Sequence, residues 1–327
     1  MKISKFLFGL VFILLFTTAC QEPAPPMDEV SLQLKWIHQA QFAGYYVAKE
    51  KGFYEEQNIE LTLVPGGIGI DPLNALETGA VDIAVAAPET LILSRDQEKD
   101  FKAVAVIYQT NPYLLITLAD SGIDQLADFP GHTIGIANDD GRAQVHLMMR
   151  NAGLDPDTLI EKEFSFDYEK FYSGEIEIYP TFAAGSYLDI VREGVEVNKF
   201  WPDDYGVHWY SDTLVVNDEM IEDNPNLVER FLRATFKGME YMIAHPEEAV
   251  EITMQYAEVQ DEDVQRAMLN ASIPLIYTTE PRIGWMDREK WFGMRQDMYL
   301  EGLIDELPNL DAVYTLQFLD RIYGDQQ

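Results

Sequence analysis

Hydrophobic spacing along this chain switches repeatedly between a period of two and a period near 3.6. Residues 31–36 alternate. Leu32, Leu34 and Trp36 point one way, and Ser31, Gln33 and Lys35 the other, which predicts a strand. A helix is expected over 40–51, with Phe42, Tyr46 and Val47 on one face. Gly52 can close it, because glycine tolerates the positive φ of a helix terminus. A second strand follows at 60–64, then a Pro65-Gly66-Gly67 turn. Asp71 is placed to cap a short helix that has Pro72 at its first position. Gly79 ends that helix. The apolar run 81–86 reads as a central strand, Pro88 opens another helix, and strands at 103–108 and 113–118 follow.

A second α/β unit begins near Asp120. Its first strand is 131–137, its first helix 142–151, closed by Gly153. Residues 175–178 read as a later strand that ends in a turn at 179–182, and 214–216 as another strand. From Asn224 onward the pattern is helical, over 226–245, 246–256, 261–271 and 287–302. Strands alternating with helices argue a mainly parallel sheet flanked by helices. No short fixed period repeats, so the chain is not a solenoid.

The N-terminus departs from this pattern. Lys2 and Lys5 precede an eleven-residue apolar core at 6–16, too short for a mature spanning helix, for which roughly 20 residues are needed. It reads as a secretory signal over 1–19. Thr17-Thr18-Ala19-Cys20 resembles a bacterial lipobox, with Thr17 where that pattern prefers Leu. Cys20 is the only cysteine, so it is the expected lipidation site and no disulfide is expected. The Pro-rich stretch after it completes a tether over 20–29. Composition sharpens the picture. The chain has 327 residues, with 23 Lys+Arg against 56 Asp+Glu and a formal charge of −33. Nucleic acid and anionic lipid surfaces would be repelled. The domain is expected outside the cytoplasmic membrane, held there by lipid, and as a monomer.

In open α/β sheets, ligands sit beyond the carboxyl ends of the strands. Turns at such ends are 37–41, 66–70 and 87–90 in the first unit, with 138–141 and 179–182 in the second. They should converge on one cleft. There, aromatic faces would stack a flat ligand, and amides or carboxylates would fix its edges. The candidate ligand contacts are Trp36, Gln39, Gln41, Tyr45, Gly67, Glu89, Tyr108, Asn138, Tyr179, Phe182 and Trp209. Competing structural roles exist. Phe42, Tyr46 and Val47 suit a core, Glu89 also suits a helix cap, and Asn138-Asp139-Asp140 suits an acidic turn before Arg142. Arg142 is the residue to watch should the ligand be anionic.

Chemistry is thin. No HExxH, GxSxG or complete P-loop is present, and Gly66 to Gly69 lacks the following Lys-Ser/Thr. The five histidines are scattered, so no catalytic residue, metal or cofactor is expected. His38 reads as a neutral hydrogen-bonding or solvated loop residue.

The segments LQLKWIHQAQFAGYYVAKEKGFY, VPGG, GAVDIAV and FPGHTIGIA resemble the NMT1/THI5-like family of solute-binding proteins. So do DDYGVHWYSDTLVVND, NPNLVERFLRATFKGMEYMIAHPEEAVEI and IGWMDREKWFGM. The resemblance covers about 30–323. It implies the type II periplasmic-binding-protein fold, in which two α/β lobes close on a ligand. The expected lobes are 30–118 and 211–327 for the first and 119–210 for the second, which places Trp209 and Tyr210 at the hinge, as cleft lining or as hinge packing. It also implies an ABC importer's permease and ATPase as partners, and a planar heterocycle as ligand: a thiamine pyrimidine precursor or riboflavin. The Gln-Ala-Gln-Phe-Ala-Gly-Tyr-Tyr turn looks like the branch for flavins and for extracellular sensor domains. A sensing role would need a separate membrane kinase. Fungal relatives resemble thiamine pyrimidine synthases that use iron, a histidine and a cysteine-rich motif, and this chain has no cysteine cluster.

Overall fold

The computed structural model describes residues 26–324. The signal segment, Cys20 and the tether up to residue 25 lie outside the described residues. Ten strands are formed among them: β1 (Asp28–Gln33), β2 (Ile59–Val64), β3 (Ile83–Ala86), β4 (Phe101–Tyr108), β5 (Tyr113–Leu118), β6 (Thr133–Ile136), β7 (Ile160–Glu163), β8 (Tyr179–Phe182), β9 (Val197–Phe200) and β10 (Ser211–Asn217).

The first sheet runs β2-β1-β3-β10-β4. β1 pairs in parallel with β2 and β3, and β10 is inserted antiparallel between β3 and β4. Its central strands read as unbroken apolar runs because helices cover both faces. Ile83, Ala84, Val85, Leu214 and Val215 are wholly buried. In the second lobe, β5 lies antiparallel between β8 and β9. The parallel pair β6-β7 joins this sheet through a bridge from Ile134 to Ile178, just before β8. Each lobe therefore has a mainly parallel sheet interrupted by one antiparallel strand.

The pairing moves one boundary. Tyr113–Leu118 belongs to the second sheet, so the chain crosses between lobes at 109–112 rather than near Leu118. The physical reason is that β5 is apolar on both faces. Leu115 joins the main core, whereas Leu114 and Ile116 pack with Phe171, Ile176 and Ile190 in a separate core of the second lobe. The chain returns to the first sheet in β10, which begins at Ser211. Two further elements differ. β1 starts three residues before the expected strand, and the chain leaves the sheet at Leu34, so Lys35 and Trp36 stand on a loop. Residues 179–182 form a strand rather than a turn, with Pro180 opposite Leu115. The turn comes just after, ahead of a helix, Ser186–Arg192, that the spacing did not reveal.

Local signals elsewhere act as read. Asp71 accepts from the Leu73 amide at 2.9 Å at the start of the Pro72–Glu77 helix. Gly52 adopts φ 72° after the Ala43–Glu50 helix. That helix packs against the Pro225–Ala244 helix at very short range. A Cβ on Gly238 would sit 2.4 Å from the Gly44 carbonyl oxygen and 2.5 Å from the Ala48 Cβ. Because those neighbours are backbone and a stiff methyl, neither can yield. Gly238→Ala should therefore force the helices apart and destabilise the fold by about 3 kcal/mol, the upper part of the range for overpacking. Urea denaturation measures this, and an unchanged midpoint would refute the close approach. Among the described residues, no helix is long and apolar enough to cross a membrane.

Candidate functional site

The carboxyl ends of β1 and β3 meet the ends of β6 and β8 across the gap between the lobes. A cavity of about 520 Å³ lies there, within the range of roughly 300–1,000 Å³ usual for small-molecule sites. The first lobe contributes Lys35, Trp36, Gln39, Gln41, Glu89 and Ser211, and its C-terminal helices add Gln265 and Met268. The second lobe contributes Tyr113, Asn138, Asp140, Gln144, Phe164, Tyr168, Phe182 and Asp189. Aromatic rings thus come from both sides, with amides and carboxylates between them.

Each side chain is placed by a local device. Gly66 has no Cβ to collide with the Leu34 carbonyl, which would lie 2.4 Å away, so the 65–67 turn lies against 34–36. Its amide donates to the Trp36 carbonyl at 2.9 Å. The buried Gln33 amide donates to the Leu34, Val64 and Pro65 carbonyls and ties the same two loops together. Glu89 is the second residue of the Pro88–Asp96 helix. Asn138 caps the Asp139–Asn151 helix, accepting from the Gly141 amide at 2.8 Å. Gly141 leaves room for Tyr113, whose hydroxyl would be 3.1 Å from a Cβ there.

Of the eleven residues singled out from sequence, Trp36, Gln39, Gln41, Glu89, Asn138 and Phe182 line this cavity. Tyr45, Gly67, Tyr108, Tyr179 and Trp209 are outside its lining. Tyr45 is buried in the core, its hydroxyl without a partner among the described residues. Tyr108 is buried and donates to the Ser272 hydroxyl at 2.8 Å. Tyr179 packs among Phe164, Tyr168 and Phe171 and donates to the Ser165 carbonyl. Trp209 is buried at the return crossing, where its indole N–H donates to Asp297 at 2.9 Å. Its companion Tyr210 packs on Trp291, and neither borders the cavity. Gly67 stands in the turn with φ 149°. Arg142 also lies away from the lining, held by Asp139 and Glu161.

The sequence reading missed several lining residues for identifiable reasons. Lys35 falls on the polar side of an alternating run, and Tyr113 was assigned to the other lobe. Asp189 sits on the unexpected helix. Gln265 comes from a C-terminal helix, where a single amide carries no signal of its position.

Two electrostatic features shape the cavity. The first is a network around Asp212, which is 2 % exposed. The Lys35 ammonium forms an ion pair with it and donates to the Ser211 hydroxyl at 3.1 Å. Gln41 donates to the Asp212 carboxylate at 2.7 Å, and Gln39 donates to Gln41 at 2.7 Å. The Lys35 charge is therefore already answered, although its ammonium also lies 5.5 Å from the centre of the Phe182 ring across the gap. The second is a pair of carboxylates in the lining, Glu89 from the first lobe and Asp140 from the second. Burial, with the Asp140 charge next in weight, pushes Glu89 up to about 8. Burial, with Asp139 beside it, pushes Asp140 up to about 6. Glu89 Oε2 is sealed from solvent without a hydrogen-bond partner among the described residues, while the rest of the side chain borders the cavity.

His38 is outside this lining. Its Nδ1 lies 3.0 Å from the Tyr46 hydroxyl. Burial lowers its pKa, against the opposing charge of Glu258. Among the described residues, no three His, Cys, Asp or Glu side chains are grouped to hold a metal ion. The lobes also touch away from the crossings, where Arg192 pairs with Asp261 at 3.1 Å.

The family "NMT1/THI5 like" matches residues 39–249. The riboflavin-binding protein RibY of Chloroflexus aurantiacus is 25% identical, covering 98% of both chains. A formylaminopyrimidine-binding protein of Halalkalibacterium halodurans is 25% identical over 87% of this chain and 90% of its own. A 4-amino-5-hydroxymethyl-2-methylpyrimidine phosphate synthase of Legionella pneumophila is 24% identical over 91% of this chain and 95% of its own. Among solved structures, the periplasmic aliphatic sulphonate-binding protein SsuA of Escherichia coli superposes with a TM-score of 0.72 at 16% identity. That match covers 88% of this chain and 92% of SsuA. The chain belongs to the NMT1/THI5-like family and has the two-lobed periplasmic-binding-protein fold.

Proposed function

We propose that this member of the family is an extracytoplasmic solute-binding protein, anchored through Cys20, that delivers a planar nitrogen heterocycle to an ABC permease and its ATPase. The observation that carries this reading is the aromatic-walled cavity between the lobes, to which each lobe contributes rings and edge-polar groups. A ligand touching both walls favours the closed arrangement in proportion to its extra contacts there, and the importer then reads closure. The names of two relatives, which bind riboflavin and a formylaminopyrimidine, support a heterocycle of either kind. On this reading, lobe one runs to about residue 110 and resumes at 211, and the two crossings form the hinge.

The test is mass spectrometry of small molecules released from the denatured, purified protein, followed by calorimetry with the compound found. Recovery of no heterocycle, and no heat with riboflavin or a formylaminopyrimidine, would reject the reading. Trp36→Ala should weaken binding by about 1–3 kcal/mol, the scale of burying one large apolar side chain. Unchanged affinity would remove Trp36 from the contact surface. The synthase named among the relatives keeps an enzymatic reading in view. It predicts a new pyrimidine product when the protein is incubated with iron and pyridoxal phosphate, whereas the binding reading predicts none.

A further inference from the structure

We infer that Glu301 clasps the two lobes together: it stands on the first lobe, docks between Arg150 and His146 of the second, and His146 makes the clasp depend on a proton. This deepens the solute-binding reading, because it concerns the lobe movement which that reading requires.

Glu301 breaks a local rule. It is the C-cap of the Arg288–Leu300 helix, where the partial negative charge of the helix end disfavours a carboxylate. Its side chain is nonetheless only 5 % exposed. A charge that is unfavourable in its own helix and shielded from water needs partners from elsewhere. They come from the Asp139–Asn151 helix of the second lobe. One carboxylate oxygen pairs with the Arg150 guanidinium, and the other lies 3.5 Å from His146 Nδ1. One turn earlier on the first-lobe helix, Asp297 accepts from Trp209 at the return crossing. The clasp therefore sits one helical turn from a hinge contact and outside the cavity lining.

Geometry at His146 supplies the proton dependence. Its other ring nitrogen, Nε2, lies 3.2 Å from Glu161 on β7. A neutral imidazole carries one N–H and one lone pair, so either tautomer turns a lone pair toward a carboxylate. The imidazolium donates on both sides. The charged groups facing the ring are Glu161, which also holds Arg142, and Glu301, which also holds Arg150, with Asp297 behind Glu301. With the proton, the first lobe's carboxylate meets two cations. Without it, Arg150 alone answers that charge. The other interlobe pair, Arg192 with Asp261, has side chains 42 % and 43 % exposed, so water and salt weaken it.

Distances between spin labels, measured by double electron–electron resonance, test this without a ligand. The labels sit at Asn74→Cys on the first lobe and Glu175→Cys on the second, both exposed, in the mature chain carrying Cys20→Ala. Histidine side chains change charge between about pH 5 and 8, so spectra are compared at pH 6 and pH 8.5. At pH 6, Glu301→Gln should raise the population of longer distances about fivefold over the wild type, the lower end of ordinary coupling between sites. At pH 8.5 that gap should narrow. Glu89 and Asp140 titrate over the same range, but they do so in both proteins, so the gap isolates the clasp. His146→Gln should be more open than the wild type at pH 6 and match it at pH 8.5. Should Glu301→Gln lose its circular dichroism, His146→Gln decides alone. Equal distances in Glu301→Gln and the wild type at pH 6 overturn the inference. So does a gap of the same size at both pH values, or a His146→Gln protein that matches the wild type at pH 6. None of these outcomes touches the solute-binding reading, which fails separately if no heterocycle is recovered or bound.

Discussion

Asp212→Ala should lower the unfolding free energy by about 3–5 kcal/mol, the usual cost of removing one partner from a buried ion pair. Asp212 is 2 % exposed and sits where the chain returns to the first lobe. Its carboxylate receives the Lys35 ammonium, the Gln41 amide and, at 3.2 Å, the Ser211 hydroxyl. Removal strands the Lys35 charge and the Gln41 donor at the edge of the cavity, where water only partly replaces the lost partner. Backbone geometry adds to the cost. Asp212 has φ 45°, a left-handed conformation that Asp and Asn adopt more readily than Ala. Asp212→Asn keeps that conformation and an acceptor for Gln41 but loses the charge, so its cost should be about half as large. Urea denaturation of both variants gives the comparison. If the Ala variant unfolds at the wild-type midpoint, the network contributes nothing to the fold.

Glu89→Gln should have the opposite effect on the ligand-free protein, and only at neutral to alkaline pH. In the fold its pKa rises from the usual 4.5 to about 8, first because burial disfavours the charge and second because of the Asp140 charge. For a raised pKa, the stability contribution is fully present below the unfolded value and is lost as pH climbs through the folded value. Asp140, raised from 3.8 to about 6, acts in the same direction over a lower range. The wild type should therefore lose stability progressively from about pH 5 to pH 8. Each pKa unit corresponds to about 1.4 kcal/mol, so Glu89 accounts for roughly 2–4 kcal/mol of that loss. Glutamine cannot ionise. The variant's thermal midpoint should match the wild type near pH 5 and exceed it at pH 8.5. Parallel pH profiles for the two proteins would show that Glu89 is not held in a charge-disfavouring place.

Local chemistry made most of the architecture legible. The alternating and 3.6-residue periods located the first-lobe strands and the long C-terminal helices, because one-faced burial imposes those periods on sequence. Asp71, Pro72 and Gly52 marked helix ends because their conformational demands are local. Aromatics and amides crowded just after a strand pointed to the ligand side of the sheet, and Trp36, Gln39 and Gln41 do line the cavity. Sequence spacing says nothing about which lobe a strand joins, since that depends on which edge is free to pair. Hence β5 was assigned to the wrong sheet. Nor does it separate Tyr45, which faces the core, from Trp36, which faces the gap. Only the assembled lobes bring Glu89 and Asp140 to one cavity and bind Lys35 to Asp212, because charges 51 and 177 positions apart in the chain are brought together by the fold alone. Local spacing thus set the elements and put the aromatic and amide loop beyond the carboxyl end of β1, since those signals depend on near neighbours. Which charges are paired in the cavity depends on distant segments that meet only in the folded chain.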